Sequence, residues 1–593
     1  MMAENWILRN RKADIRGMSE KYNLTPLTCR LMANRGILEE FDIASFLQPS
    51  MDKLHDPFLL KDMEKAVTII QNGILANKKI RISGDYDQDG NAAVLTLYKG
   101  LKRCGAQVDY MIPHRIEDGY GINERMVESA RDEGMDIIIT CDNGITAFEA
   151  VETAKRLGIQ TIITDHHDLA AEQDEAGGTS FRLPAADAVI NPKRNDCQYP
   201  CKDLSGAGVA FKFVQALYDR MRIDSGEALE FLGFVAMGTV CDVVNLTGEN
   251  RIIVKEGLIA IQNTRNIGLR ALINVTGLAG KEITVFSLGF ILGPCINASG
   301  RLDNARIAVD LMLTQDAVTA NEYALRLYAL NEERKAITQA GYENVLSSIQ
   351  GSPMEGDDLL VIYEADLHES IAGIVAGRIK EKFFRPAIVL TDSSETGILK
   401  GSGRSLEGID LFRVLSSCGD VIERFGGHPM AAGLSLKKEN LGAFREKANC
   451  IVSETVDRHV FEPRLEIDAR LPLGGISFRL VDELKILEPH GKGNPRPVFA
   501  ERDLSVKRIR VMGKDRKAIG MTLLDKKGKE ANAVYFGDAQ AFLDYVNAKA
   551  GNCQLDAALS GRPNNILLDI AFYPAVNEYK GQKNLQIIVN SYR

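Results

Sequence analysis

The sequence is poor in several things, and each scarcity closes off a class of protein. It has one tryptophan and ten cysteines in 593 residues. Ten cysteines are too sparse for a disulfide framework. Cys197 and Cys201 form a lone C-x₃-C with no second pair nearby, so no zinc site is expected there. The chain reads as a reduced cytosolic protein. No apolar run of about 20 residues is expected to span a membrane; the nearest stretch, Phe231 to Leu246, contains Asp242 and two glycines. The first residues, MMAENWILRN, lack the apolar core of a signal peptide. There is no long repeat and no low-complexity tract.

What is present is globular. The hydrophobic fraction is 45% and the charged fraction 26%, both ordinary values that exclude intrinsic disorder and collagen. At about 150 residues per domain, the length predicts three or four domains. The net charge of −8 argues against coating nucleic acid by bulk charge. The charge is unevenly spread, however. Residues 461–593 carry 21 Lys plus Arg against 16 Asp plus Glu, a net of +5, which leaves −13 on the rest. A basic C-terminal module points to a polyanionic partner.

Four short apolar runs, KIRIS (79–83), QVDYMI (107–112), DIIIT (136–140) and QTIIT (160–164), alternate with helical patterns such as 91–103 and 147–157. Such a series predicts βαβ units and a parallel sheet covered on both faces. A mainly helical region follows from about 205, ending in a long charged helix over 318–348. A second α/β region runs from DLLVIYEA (358–365) to about 455, with GSGRS and FGGHPMAAG read as glycine-rich turns. From 461 short β runs recur (VKRIRVM, AIGMTLLD, EANAVYF, LDAALSG, LLDIAFYP), which predicts a small barrel of the OB type. The expected division is 1–50, an N-terminal segment; 51–317, the parallel-sheet domain with its helical extension; 318–350, a connecting helix; 351–460, a second α/β domain; and 461–593, the barrel.

The chemistry concentrates where the strands end. The first runs into Asp85, Asp87 and Asp89; the third into Asp142; the fourth into Asp165, His166 and His167. Ligands bind outside the carboxyl ends of strands in open α/β sheets. These residues therefore converge on one edge although they span some 80 positions. So many carboxylates repel one another unless cations join them, and carboxylates with one or two imidazoles suit Mn²⁺ or Mg²⁺. A calcium loop does not fit: position 12 counted from Asp85 is Thr96, and Asp85 follows a strand. Asp242, closing an apolar helix, is costly there unless paired or metal-bound. Arg115, Arg301, Arg378, Arg404 and His428 lie in or beside glycine-rich or helical elements, where a phosphate can approach backbone. Lys507, Arg508, Arg510, Lys514, Arg516 and Lys517 form basic clusters on the C-terminal module. Tyr535, Phe536, Phe572 and Tyr573 add rings on its strands. Basic grooves with stacking rings hold single strands without sequence preference.

DYDQDG, the Asp of CDNG, TDHH and Asp242 in GTVCD resemble the four motifs of the DHH phosphoesterase superfamily. PHRIEDGYG, GPCINASGRLDNA, HESIAGIVAGRI, GSGRS, GGHPMAAG and LEPHGKGNPRPVF, in that order over residues 40–593, resemble its RecJ branch of bacterial single-strand-specific 5′→3′ exonucleases. The chain departs from the branch pattern at Ser370, Cys295 and His490, where Gly, Arg and Phe are common. The resemblance implies a DHH domain, a long helix, a DHH-associated domain and an OB-fold. It implies two cations bridged by Asp142, with Asp87, Asp89, His166 and Asp242 as further ligands. Asp85 ligates or orients, and His167 touches the scissile phosphate or protonates the leaving group. It also implies that Arg115, Arg301, Ser402 and Arg404 hold the terminal 5′-phosphate. Implied partners are single-stranded DNA, a helicase and a single-strand-binding protein, with the enzyme a monomer. Two rival readings are a phosphoesterase for short oligonucleotides or cyclic dinucleotides and a catalytically dead single-strand-binding scaffold.

Overall fold

The computed structural model describes residues 4–173, 179–513, 515–579 and 581–593. It divides into two compact units, one of residues 50–461 and one joining residues up to 49 to 462–593.

In the first unit, β1 (Lys79–Ser83), α1 (Gln88–Arg103), β2 (Gln107–Met111), β3 (Ile137–Cys141), β4 (Gln160–Thr164) and β5 (Ala188–Ile190) build an all-parallel sheet of order β2-β1-β3-β4-β5. The runs are apolar almost throughout because helices cover both faces. Ile82, Ile139 and Ile162 are fully buried, each contributing about 1.5–3 kcal/mol. The strand order reverses between β1 and β3. The loops leaving these two strands diverge, and the crevice between them is where such sheets bind ligands.

Helices α2 (Gly206–Met221), α3 (Leu232–Cys241) and α4 (Gly293–Leu302) pack into the same core. The stretch Val285–Leu302 is long and apolar enough to cross a bilayer, a length that the run-by-run reading of the sequence does not anticipate. Half of it is buried in the protein, with Leu288, Leu292, Cys295 and Ile296 in the core. Helix α5 (Ala317–Ile349) follows, about 50 Å long at 1.5 Å per residue. Its Ala320, Ala324 and Leu327 belong to the first core, while Val345 and Ile349 belong to the next. One continuous helix thus takes part in two cores.

The second α/β layer contains β6 (Leu360–Tyr363), α6 (Glu369–Phe383), β7 (Ala387–Asp392), β8 (Ile398–Arg404), β9 (Arg424–His428) and β10 (Ala431–Lys437), in the order β9-β10-β8-β7-β6. GSGRS and GGH, expected as turns, are strand residues. In the first the glycines serve close packing, whereas in the second Gly427 sits at φ 136° and the chain turns at Pro429-Met430. A Cβ on Gly401 would lie 2.9 Å from the Val389 carbonyl, and one on Gly403 2.5 Å from Leu411.

In the second unit, strands Phe499–Met512, Ala518–Leu524, Glu530–Phe536, Gln582–Tyr592 and Leu567–Tyr579 are successive neighbours, and the first and last also pair, which closes a barrel. LDAALSG, expected as a strand, lies in helix Asn552–Leu559 and the turn after it. It is rich in Ala and Leu and lacks β-branched residues, so helix propensity prevails. The last strand, Gln582–Tyr592, lies beyond the five expected runs. Residues Leu31, Met32, Ile43 and Phe46 enter the barrel core beside Leu473, Leu484 and Leu487, and Asn5–Leu8 pairs in parallel with Arg464–Ile467. The N-terminal segment is therefore part of this unit.

Candidate metal centre

The loops leaving β1, β3 and β4, together with the end of α3, bring eight acidic and imidazole side chains together. Three groups have ligand atoms within 4.8 Å of one another: Asp85, Asp87 and Asp142; Asp89, His166 and Asp242; and Asp142, Asp165, His166 and His167. Asp142 occurs in two of them. It sits in the left-handed backbone region, at φ 62°, which Asp tolerates better than most residues.

The local structure explains each position. Asp87 caps α1, accepting from the amides of Asp89 and Gly90 at 2.8 and 3.1 Å. Asp89 meets the N-terminus of α2. Its two oxygens accept from the Gly206 and Ala207 amides at 2.6 and 3.0 Å, where exposed amides and the helix dipole favour an anion. Only glycine fits at two of the contacts: a Cβ on Gly206 would lie 2.4 Å from the Asp142 carboxylate, and one on Gly238 2.3 Å from that of Asp89. Asp165, expected as a ligand, lies in the last of these groups. Its Oδ2 accepts from the Ile145 amide, and its Oδ1 accepts from the His166 and His167 amides and from His167 Nδ1 at 2.8 Å. Its hydrogen bonds are spent on orienting the histidines.

The remaining atoms fit a cation. Asp85 Oδ1, Asp142 Oδ1 and His166 Nε2 are buried and make no hydrogen bond. Nevertheless His166 Nε2 lies 3.0 Å from Asp142 Oδ1 and 3.6 Å from Asp242 Oδ2. Ligands on adjacent corners of an octahedron with bonds of about 2.1 Å are separated by about 3 Å. Burial, and then His167, lower the His166 pKa to about 3, so the ring is neutral and its lone pair is free to coordinate. Burial raises Asp85, Asp142 and Asp242 well above the usual carboxylate range, reinforced by neighbouring aspartates. Burial and then Asp87 push Asp89 up to about 7. His167 goes the other way: burial works against its charge, but Asp165 carries its pKa up to about 9.

Facing the carboxylates is a group of arginines. Arg301, at the end of α4, donates to the Ser370 carbonyl at 2.7 Å. Arg404 donates to Ser402 Oγ at 2.9 Å. The two-residue period of β8 puts Ser402 and Arg404 on one face. That face meets α6, where a Cβ on Gly373 would lie 2.7 Å from Arg404 and 2.8 Å from Ser402. The Arg115 guanidinium lies 4.6 Å over the Tyr86 ring. Burial, then Arg115 and Arg334, lower Arg301 to about 9; burial and then Arg115 lower Arg404. Among the described residues, no carboxylate forms an ion pair with Arg115, Arg301 or Arg404. A half-buried cluster of like charges without a counter-anion is a site for one.

Arg378 lies next to Arg334, whose pKa it lowers after burial. It donates to Gln339 and lies over Tyr342. His428 is 3.8 Å from Asp168. On the barrel, Lys507, Arg508, Arg510, Arg516 and Lys517 are exposed, with Lys507 bound to Glu530; Lys514 lies outside the described residues. Tyr535 and Phe572 are barrel core, Phe536 is exposed, and Tyr573 lies under Arg496.

The sequence matches three family descriptions in chain order: DHH family, N-terminal domain, over residues 79–239; DHHA1 domain, over 356–454; and RecJ OB domain, over 467–591. The single-stranded-DNA-specific exonuclease RecJ of Bacillus subtilis (strain 168) is 33% identical over 575 residues, which are 97% of this chain and 69% of that protein. The chain belongs to the RecJ family. Crystal structures of RecJ from Thermus thermophilus with Mn²⁺ and with Mg²⁺ match it with TM-scores of 0.81 and 0.76, at 27% and 26% identity. They cover 99% of this chain and 79% and 78% of theirs.

The site also uses side chains that the sequence did not single out, one of them within PHRIEDGYG. Tyr120 donates to the Asp142 carbonyl at 2.9 Å and lies 3.2 Å from the His167 ring nitrogens. Arg334, on α5, hangs from Asn331, whose amide reaches Cys295 Sγ at 3.5 Å. The Ser205-Gly206 opening of α2 had a legible signal, a serine cap before glycines at a helix start.

The carboxylates also couple metal to stability. Without metal, the folded protein keeps protons on Asp85, Asp89, Asp142 and Asp242 that the unfolded chain releases near pH 4. That contribution is complete below about pH 4 and is lost as pH rises through the folded values, about 7 for Asp89. The Tm gained with Mn²⁺ over EDTA therefore grows from pH 5 to pH 8. A gain that is flat across this window in thermal unfolding would count against these carboxylates as the metal site.

Proposed function

We propose that the chain hydrolyses single-stranded DNA from the 5′ end, releasing 5′-mononucleotides, with Mn²⁺ or Mg²⁺ bound by Asp85, Asp87, Asp89, Asp142, His166 and Asp242. The observation that carries this reading is the arginine cluster without a counter-anion beside a carboxylate set with unpartnered ligand atoms. One half suits a terminal phosphate and the other suits two divalent ions.

When bound, the ions polarise a phosphoryl oxygen and lower the pKa of water. The protein's own groups do the rest. Asp142 is shared between the two halves of the ligand set, which supports its bridging role. Asp89, held by α2, and Asp165, held by three backbone amides, fix the geometry. His167, protonated and aligned by Asp165 through Nδ1, holds a second proton at Nε2 near Tyr120 for the leaving 3′-oxygen. Arg115, Arg301, Ser402 and Arg404 receive the 5′-phosphate and stop the strand one nucleotide from the ligands. The exposed basic residues of the barrel unit hold the strand further along.

The functional divisions are 51–317, 318–350, 351–460 and 461–593, the last acting together with the N-terminal segment. The setting we propose is cytoplasmic DNA repair and recombination, as a monomer beside a helicase and a single-strand-binding protein.

The test uses purified protein with end-labelled single strand, duplex and dinucleotide, in Mn²⁺ and in EDTA. Mononucleotides should appear from the single strand and not from the duplex, from the 5′ end, and only with metal. Hydrolysis confined to the dinucleotide would favour a short-oligonucleotide phosphoesterase; binding without hydrolysis would favour a scaffold.

A further inference from the structure

The segment that leads into α4 carries an exposed aromatic pair. A reciprocal cap between Thr284 and Ser287 starts a short helix, and a π-turn over Leu288–Leu292 continues it into α4. One side is anchored in the core through Leu288 and Leu292. The other side exposes Phe286 and Phe290, 62% and 69% accessible, with their rings stacked at 4.9 Å and 18°. Exposed apolar patches of this kind mark interaction sites, and π-turns occur mostly at functional sites.

The π-turn rests on the helix that ends in the metal ligand Asp242. Cys241 Sγ donates to the Leu288 carbonyl at 3.7 Å. A Cβ on Gly293 would lie 2.3 Å from Cys241 Sγ, and one on Gly289 3.5 Å from Val240. Next to Asp242, Val243 is 59% exposed and sits at φ 58°. For a β-branched residue that is a strained conformation, of the kind that clusters at working sites. At the far end of the same rigid segment, α4 delivers Arg301 to the arginine cluster. Phe290 and Arg301 are eleven positions apart, about 16 Å at 1.5 Å per residue. A stacked strand advances about 3.4 Å per nucleotide, so Phe290, the nearer ring, stands about five nucleotides from the arginines.

We infer that Phe286 and Phe290 form a stacking platform for nucleobases of the strand being digested, about four to six nucleotides from its 5′ end. This inference rests on the proposed exonuclease reading. Bases offer a π-face whatever their identity, so the platform grips without reading sequence. The pair adds hold only on strands long enough to reach it.

The test is a length series from two to twelve nucleotides with wild type, F286A/F290A, F286L/F290L and F286W/F290W, each checked for unchanged Tm. The alanine pair should lose about tenfold in kcat/KM on strands of eight or more and nothing on di- and trinucleotides. The leucine pair should resemble it, because it keeps bulk but not rings, and the tryptophan pair should match wild type. In a companion series, single abasic sites are moved through positions 2–8. Wild type should weaken when the gap falls at positions 4–6, and the alanine pair should show no such dip. A loss equal at all lengths, no loss at any length, leucine behaving as wild type, or the same abasic profile in both proteins would each overturn the platform. A wild type that hydrolyses no strand would instead overturn the exonuclease reading itself, so the two failures are distinct.

Discussion

Asp142→Asn loses at least about 10³-fold in the rate of strand hydrolysis while the protein stays folded. Asp142 lies in two of the three ligand groups, its Oδ1 makes no hydrogen bond, and it is 3.0 Å from His166 Nε2. Losing its charge weakens the hold on both ions at once. Each ion supplies several kcal/mol of transition-state stabilisation, and each 1.36 kcal/mol is about a factor of ten. Asn is the cleaner replacement because it tolerates the left-handed backbone of this position; Ala there adds about 1–2 kcal/mol of strain. Stability in EDTA should hold or rise, since one member of a mutually repelling, buried carboxylate set is made neutral. Single-turnover hydrolysis and thermal unfolding of the same preparation check both halves. Turnover within tenfold of wild type would refute the bridging role.

Arg404→Ala loses on the order of tenfold or more in kcat/KM on 5′-phosphorylated strands and much less on 5′-hydroxyl strands. A terminal phosphate differs from an internal one by an extra charge and oxygen. Arg404 is half-buried beside Ser402 and close to Arg115, with no carboxylate paired to it among the described residues. Each charge-assisted bond to the phosphate contributes about 1.5–3 kcal/mol. A strand with a 5′-hydroxyl already lacks that contact, so the variant has little more to lose on it. The four rates of wild type and variant on both substrates form a double-mutant cycle. Equal losses on the two substrates would show that Arg404 does not read the end.

The DHH strands, the connecting helix and the edge on which the acidic residues gather were all legible in the chain. Period and apolarity place β1 to β4, and ligands in such sheets sit beyond the strand ends. The local signal failed where context outweighs it. GSGRS reads as a turn because glycine is permissive, yet in β8 it is the lack of Cβ atoms that lets the neighbouring strand and Leu411 come close. That placement, through strand alternation, is what brings Ser402 and Arg404 to one face. LDAALSG reads as a strand by its place among the β runs, although its composition favours helix.

The sequence by itself determined which residues can bind metal and phosphate, since their chemistry and their positions after strands are local properties. Only the tertiary structure decided how they are used. Asp165 aligns His167 through Nδ1 because three backbone amides converge on its carboxylate. Arg378 meets Gln339 and Tyr342 because it sits on the side of α6 that faces α5. The N-terminal segment joined the barrel because Leu31, Met32, Ile43 and Phe46 complete a core more than 400 residues away. Contacts between distant parts of the chain carry no mark in the local pattern at either end, so packing alone could reveal them.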